Sequence, residues 1–179
     1  MEVYEAIEKR RTIRAFKQGA SEEVLRKIIV AGTKALSGGN SQPWEFIIVD
    51  DPKIIDQMGE QKYQMNLKFA PEPDARKQKD AYQNCNVVAV CATKARSGPV
   101  GAWMCFQNMA LAATAEGLAV IPSTIRGEQQ EVVEKLLGIP EDYELVTVML
   151  CGIPAEAPDP KEMRPEFSWL HRNKFGSAP

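Results

Sequence analysis

The chain has 179 residues, 44% hydrophobic and 26% charged, with a formal net charge of −2 and a pI near 5.6. That length predicts one domain over residues 1–179, burying roughly 70% of its unfolded surface, and the apolar share excludes global disorder. The acidic balance excludes a polycation, so nucleic-acid binding would rest on the single basic run Lys9–Arg14.

Residues 2–9 read as a short helix with Val3, Ala6 and Ile7 on one face, charged in a way no signal peptide is. Ser21 is the expected N-cap of a second helix. Glu22 and Glu23 are placed against its dipole, and Val24, Ile28, Ala31 and Ala35 recur at helical spacing. Gly38 or Gly39 would cap that helix, leaving a polar loop that runs into a strand over Trp44–Val49. Asp51-Pro52 closes the strand, and Pro52 opens a helix through about Lys62. Residues 66–80, with Pro71 and Pro73 amid charge, read as a loop or lid.

Val87–Thr93, Leu118–Ile121 and Leu145–Cys151 are apolar runs that predict buried strands. Glu128–Leu137 predicts a helix ended by Gly138 and Pro140. The helix at about 101–116 is apolar nearly all round, which demands burial on several sides, either centrally or at a subunit interface. Gln107, Asn108 and Glu116 interrupt the run Met104–Val120, so it does not predict a membrane span. Residues 154–179 lack regular periodicity except near Trp169–Phe175, yet carry Phe167, Trp169, Leu170 and Phe175, which need cover.

Two segments carry more chemistry than connection requires. Ser37-Gly38-Gly39-Asn40-Ser41-Gln42-Pro43-Trp44 offers close backbone approach together with amide and hydroxyl groups. Arg10, Arg11 and Arg14 surround Thr12 at the end of the first helix. Charge at a helix C-terminus accounts for one or two of them, whereas three guanidinium forks also make an anion cradle. Lys161 and Arg164 form a weaker basic pair, by itself readable as solvated charge. Cys85, Cys91, Cys105 and Cys151 lie apart in apolar context and read as core residues of a reduced, cytoplasmic protein, with neither zinc spacing nor a disulfide framework. Trp44, Met58, Met65 and Met104 read as packing residues, and the lone His171 as structural or peripheral.

On these residues the chain resembles the nitroreductase family of FMN-dependent oxidoreductases. Arg10-Arg11-Thr12-Ile13-Arg14-Ala15-Phe16 is close to the family's R-R-S-x-R-x-F. Ser37 through Phe46, Gln107 through Ala113, Glu116-Gly117-Leu118, Leu137-Gly138-Ile139-Pro140 and Cys151-Gly152-Ile153-Pro154 extend the similarity over most of the chain. The resemblance implies a three-layer α-β-α fold of the α+β class with a mixed, mainly antiparallel sheet, in an intertwined homodimer with FMN at the interface. It further implies that Arg10, Arg11, Thr12 and Arg14 contact the FMN phosphate, ribityl chain and flavin edge, with Lys161 and Arg164 as late phosphate contacts. Ser37, Gly38, Asn40 and Gln42 are implied to reach the flavin from the partner subunit. Pro122, Ser123 and Thr124 are implied to lie near N5 and O4, and Asn66 to face the ring. Leu36 departs from a usual proline, Thr124 from a glutamate found in some relatives, and residues 64–82 are idiosyncratic.

The implied chemistry is hydride transfer at the flavin, from NADH or NADPH to a small organic acceptor sharing one pocket in ping-pong order. No nucleophile–base triad is needed, and no G-x-G-x-x-G follows a strand to make a separate nicotinamide site. A nitro or quinone reductase is the first expectation. A specialised dehydrogenase, dehalogenase or flavin-cleaving enzyme is the alternative, and a non-catalytic flavin carrier or nucleic-acid binder is the reading from another class.

Overall fold

The computed structural model describes residues 1–158, 160–165 and 167–177. The elements run α1 (Val3–Lys9), β1 (Phe16–Gln18), α2 (Glu22–Gly32), β2 (Trp44–Val49), α3 (Pro52–Leu67), α4 (Glu72–Asp80), β3 (Asn86–Thr93), α5 (Gly98–Ala115), β4 (Ala119–Ser123), α6 (Glu128–Leu137) and β5 (Tyr143–Pro154). Ser21 caps α2 as expected, its Oγ accepting from Val24 N at 3.4 Å. The helix stops earlier than the spacing predicts, at Gly32, where Thr33 Oγ1 donates to the Val30 carbonyl and competes with further helix. The expected cap at Gly38 or Gly39 is therefore corrected: Gly38–Asn40 forms a separate 3-10 turn.

The lid expected at 66–80 is also corrected. Helix α3 continues to Leu67 and α4 begins at Glu72. Pro71 and Pro73 occupy the cap and first turn of α4, where a missing N–H costs nothing. Glu72 and Asp74 lie in its first turn, Lys77 and Lys79 in its last, so the charges oppose the dipole. Ala75 is fully buried and anchors the helix.

Strand β5 runs through the middle of the sheet. It pairs with β3 along one side and with β4, then β1, along the other, while β2 closes the far side of β3. The sheet expected to be mixed and mainly antiparallel has only antiparallel pairings among the described residues. Side chains alternate between its two faces. Val87, Ala89, Cys91, Leu145 and Leu150 pack with Met58 of α3 and Val133 of α6. Val88, Val90, Ala92 and Met149 pack with Leu25 and Ile28 of α2 and with Cys105, Phe106 and Met109 of α5. These are the three layers. Trp44 is buried in the second core, as its reading as a packing residue requires.

Two irregularities position the site. The β3–β5 register slips between Val90 and Cys91, whose partners are Thr147 and Leu145, so β5 carries a bulge there. Gly32 lets α2 approach α5 closely: a Cβ at that position would lie 2.5 Å from Met109 Cγ. Among the described residues, no helix is long and apolar enough to cross a membrane.

Candidate functional site

Helix α3 presents Met58, Lys62, Met65 and Asn66 along one stripe, at the spacing that puts side chains on a common face. Met58 is fully buried in the core. Lys62, one turn on, is only 8% exposed, and its Nζ donates to the Thr124 carbonyl at 2.7 Å. Asn66 Nδ2 donates back to the Lys62 carbonyl at 2.7 Å. Thr124 follows β4 and is fixed from the sheet side: its Oγ1 lies 3.1 Å from Oγ1 of Thr147, the residue next to the bulged Val146. The preceding Ser123 is buried, and its Oγ accepts from the Tyr82 hydroxyl at 3.0 Å.

Positive charge gathers here. Burial, then the charges of Arg126 and Arg14, pull the Lys62 ammonium down from its ordinary 10.5 to about 8. Arg14 Nε is buried and has no hydrogen-bond partner among the described residues. The Arg14 backbone N–H donates to the Glu156 carboxylate at 2.8 Å, which fixes the chain beside β1. No carboxylate pairs with the side chains of Lys62, Arg14 or Arg126 among the described residues. A buried guanidinium nitrogen without an acceptor is costly. The arrangement suits an electron-rich or anionic ligand with acceptor atoms.

The other residues singled out in the sequence fall in distinct places. Arg10 is half-buried at the C-cap of α1. Arg11 turns back onto the helix end, where Nη1 donates to the Glu8 carbonyl and, at 3.0 Å, to that of Arg10. The helix-terminus reading thus applies to Arg11. Thr12 is exposed. Pro122 is exposed on β4 beside buried Ser123. Lys161 and Arg164 are exposed in a stretch without regular structure.

The Ser37–Gln42 segment forms a second locus. Ser37 Oγ accepts from Gln42 N at 3.1 Å, and Gly39, Asn40 and Gln42 have φ of 60°, 54° and 46°. Asparagine accepts that left-handed region more readily than most residues, and glutamine does so less readily. Ser37 and Gly38 line a cavity of about 580 Å³ with Arg96, Ser97, Val100 and Met104 at the start of α5. Met104 is 43% exposed on this outer face, so its reading as core filler is corrected.

Lys62 escaped the sequence analysis because a lysine within a charged helix reads as a solvated side chain. Its place on the Met58–Met65 stripe was the available signal. The cysteines agree with their core reading: burial pushes the thiols of Cys85, Cys91, Cys105 and Cys151 up to about 12. His171 is exposed, with its ring 4.5 Å from that of Phe175, peripheral as expected.

The curled antiparallel sheet between two helical layers defines an α+β nitroreductase fold. The Nitroreductase family profile matches residues 7–153. The chain belongs to that family, whose chemistry is FMN-dependent oxidoreduction. It is 29% identical over 177 residues, covering 93% of this chain and 94% of the other, to an Archaeoglobus fulgidus protein provisionally named NADH dehydrogenase/NAD(P)H nitroreductase. A crystal structure of a Parabacteroides distasonis protein with the same provisional name superposes with a TM-score of 0.81 at 27% identity, covering 97% of this chain and 98% of that one. An iodotyrosine deiodinase bound to FMN and 3-iodo-L-tyrosine superposes with a TM-score of 0.80 at 25% identity, covering 97% and 99%.

Proposed function

We propose that this chain is an FMN-dependent oxidoreductase that passes electrons from NADH or NADPH to a small organic acceptor, a nitroaromatic, quinone or related compound, in ping-pong order. The observation that carries this reading is the buried, unpartnered Arg14 Nε beside Lys62 and Arg126. FMN fits such a site because it brings a phosphate and a ring edge rich in acceptor atoms. When bound it supplies the hydride chemistry, and the protein binds and orients. Arg14 supplies a fixed donor, and Thr124 and Ser123 are held by Thr147 and Tyr82 so that the backbone beside them keeps one geometry. Arg10, Lys161 and Arg164 are then available to the phosphate, as the motif resemblance implies.

The protein works as a homodimer in which Ser37, Gly38, Asn40 and Gln42 of one subunit complete the site of the other. Within one chain Ser37 and Gly38 line a cavity with Val100 and Met104 of α5, while Thr124 and Arg126 line another with Pro99 and Trp103. Val100, Trp103 and Met104 of α5 are 55%, 39% and 43% exposed, an apolar face that a second copy would cover.

Steady-state kinetics with varied NAD(P)H and acceptor test this reading, and parallel double-reciprocal lines are expected. Intersecting lines would reject the shared pocket. A dehalogenase reading is supported by the deiodinase likeness. Iodide release from 3-iodo-L-tyrosine, faster than reduction of any quinone or nitroaromatic, would select it.

A further inference from the structure

Three cations meet at the end of α3, and they differ in one respect. Arginine guanidinium groups are permanently charged in proteins, whereas a lysine ammonium can lose its proton. Lys62 is also the most enclosed of the three, on a helix packed against α4 and α6 and held by one carbonyl. Several charged groups on the neighbouring elements are paired with one another. On the α4 side Lys79 pairs with Glu60 at 2.6 Å, and the Tyr82 phenol is kept neutral by burial. On the α6 side Glu128 pairs with Lys68 at 3.6 Å. Lys62 therefore feels two positive charges, and no carboxylate pairs with it among the described residues.

Lys62 is bonded to residues that the family resemblance implies to face the ring. Its Nζ bonds Thr124 and its carbonyl accepts from Asn66, both implied to lie at the flavin ring, while Lys161 and Arg164 lie in the separate C-terminal stretch. Two-electron reduction of a flavin with uptake of one proton leaves one negative charge on the ring. A buried lysine repelled by two cations is the group most sensitive to that charge.

We propose that Lys62 is a redox-linked proton acceptor, binding a second proton from solvent as negative charge arrives on the reduced flavin and releasing it when that charge leaves. Where Lys62 is neutral before reduction, the balance is two electrons and two protons taken up, one proton on the flavin and one on Lys62; where it is already protonated, only the flavin proton is taken up. This rests on the FMN reading above. In the FMN-free protein burial and its neighbours pull the Lys62 ammonium down to about 8, which puts its titration in mildly alkaline solution.

The test is the midpoint potential of the FMN-loaded protein against pH, from neutrality to about pH 10, the ordinary lysine range. Wild type is expected to fall twice as steeply above pH 8 as one proton per two electrons allows. Lys62→Met and Lys62→Arg should both show the one-proton slope throughout, with the arginine variant at the higher potential because its charge persists. A one-proton slope in wild type over the whole range would overturn the proposal, as would a doubled slope retained in either variant. If Lys62→Met fails to hold flavin, the wild-type and Lys62→Arg profiles decide alone. A wild-type protein that takes up no FMN would instead remove the cofactor reading itself, which fluorescence titration with FMN detects separately.

Discussion

At the scale of single residues, the site is a set of unmet demands. Arg14 Nε is buried without an acceptor, so in the FMN-free protein this side chain contributes nothing to stability that glutamine would not. Arg14→Gln is expected to leave the FMN-free melting temperature unchanged or raised. It should also weaken FMN binding about 10- to 100-fold, the loss of one charge-assisted hydrogen bond. Isothermal titration checks the second effect and calorimetry the first, and unaltered affinity would remove Arg14 from the cradle. Lys62 makes a second demand. Its folded pKa of about 8 lies below the ordinary 10.5, so between those values the unfolded chain binds more protons. The FMN-free protein should therefore gain stability as pH rises through that window, with a slope approaching ~1.4 kcal/mol per pH unit. Urea unfolding at several pH values should show this rise in wild type and its absence in Lys62→Met.

At the scale of elements, sequence patterning was most informative where one rule governed. The strands Trp44–Val49 and Asn86–Thr93 and the helix Glu128–Leu137 with its left-handed Gly138 cap follow directly from apolar runs and caps. Two elements did not. Helix α4 has almost no apolar face, since Ala75 alone buries fully, and its two prolines suggest a loop until their first-turn placement is known. Strand β1 has three residues, too few for a period, and exists because β5 extends past β4 to receive it. The motif residues Arg14, Ser37 and Thr124 were legible one by one. The link from Thr147, beside the bulge, through Thr124 to Lys62 was not, because a register slip between distant strands leaves no local pattern. Packing of α2 on α5 offers a check at this scale. The Cβ of Gly32→Ala would press on fully buried Met109 and on Cys105 Sγ at 2.8 Å, and overpacking of this kind costs about 1–3 kcal/mol. Denaturant unfolding should show a lowered midpoint with unchanged slope.

At the scale of the whole molecule, one chain leaves apolar surface uncovered. Helix α5 buries Ala102, Cys105, Phe106 and Met109 inward and presents Val100, Trp103 and Met104 outward. Phe167, Trp169 and Phe175 of the C-terminal stretch are exposed as well, Phe175 at 95%. Sedimentation of wild type is expected to give a dimer. Trp103→Glu, which puts a charge into the apolar face, should shift it toward monomer and lower FMN retention in parallel. Dissociation without loss of FMN would separate the interface from the site. The central claim, that this fold and its cationic locus serve flavin oxidoreduction, is met most directly by anaerobic mixing of the FMN-loaded protein with NADH and with NADPH. The account predicts that the flavin absorbance bleaches with at least one of them and returns on adding a nitroaromatic or quinone without oxygen. Bound flavin that neither nucleotide bleaches would contradict it.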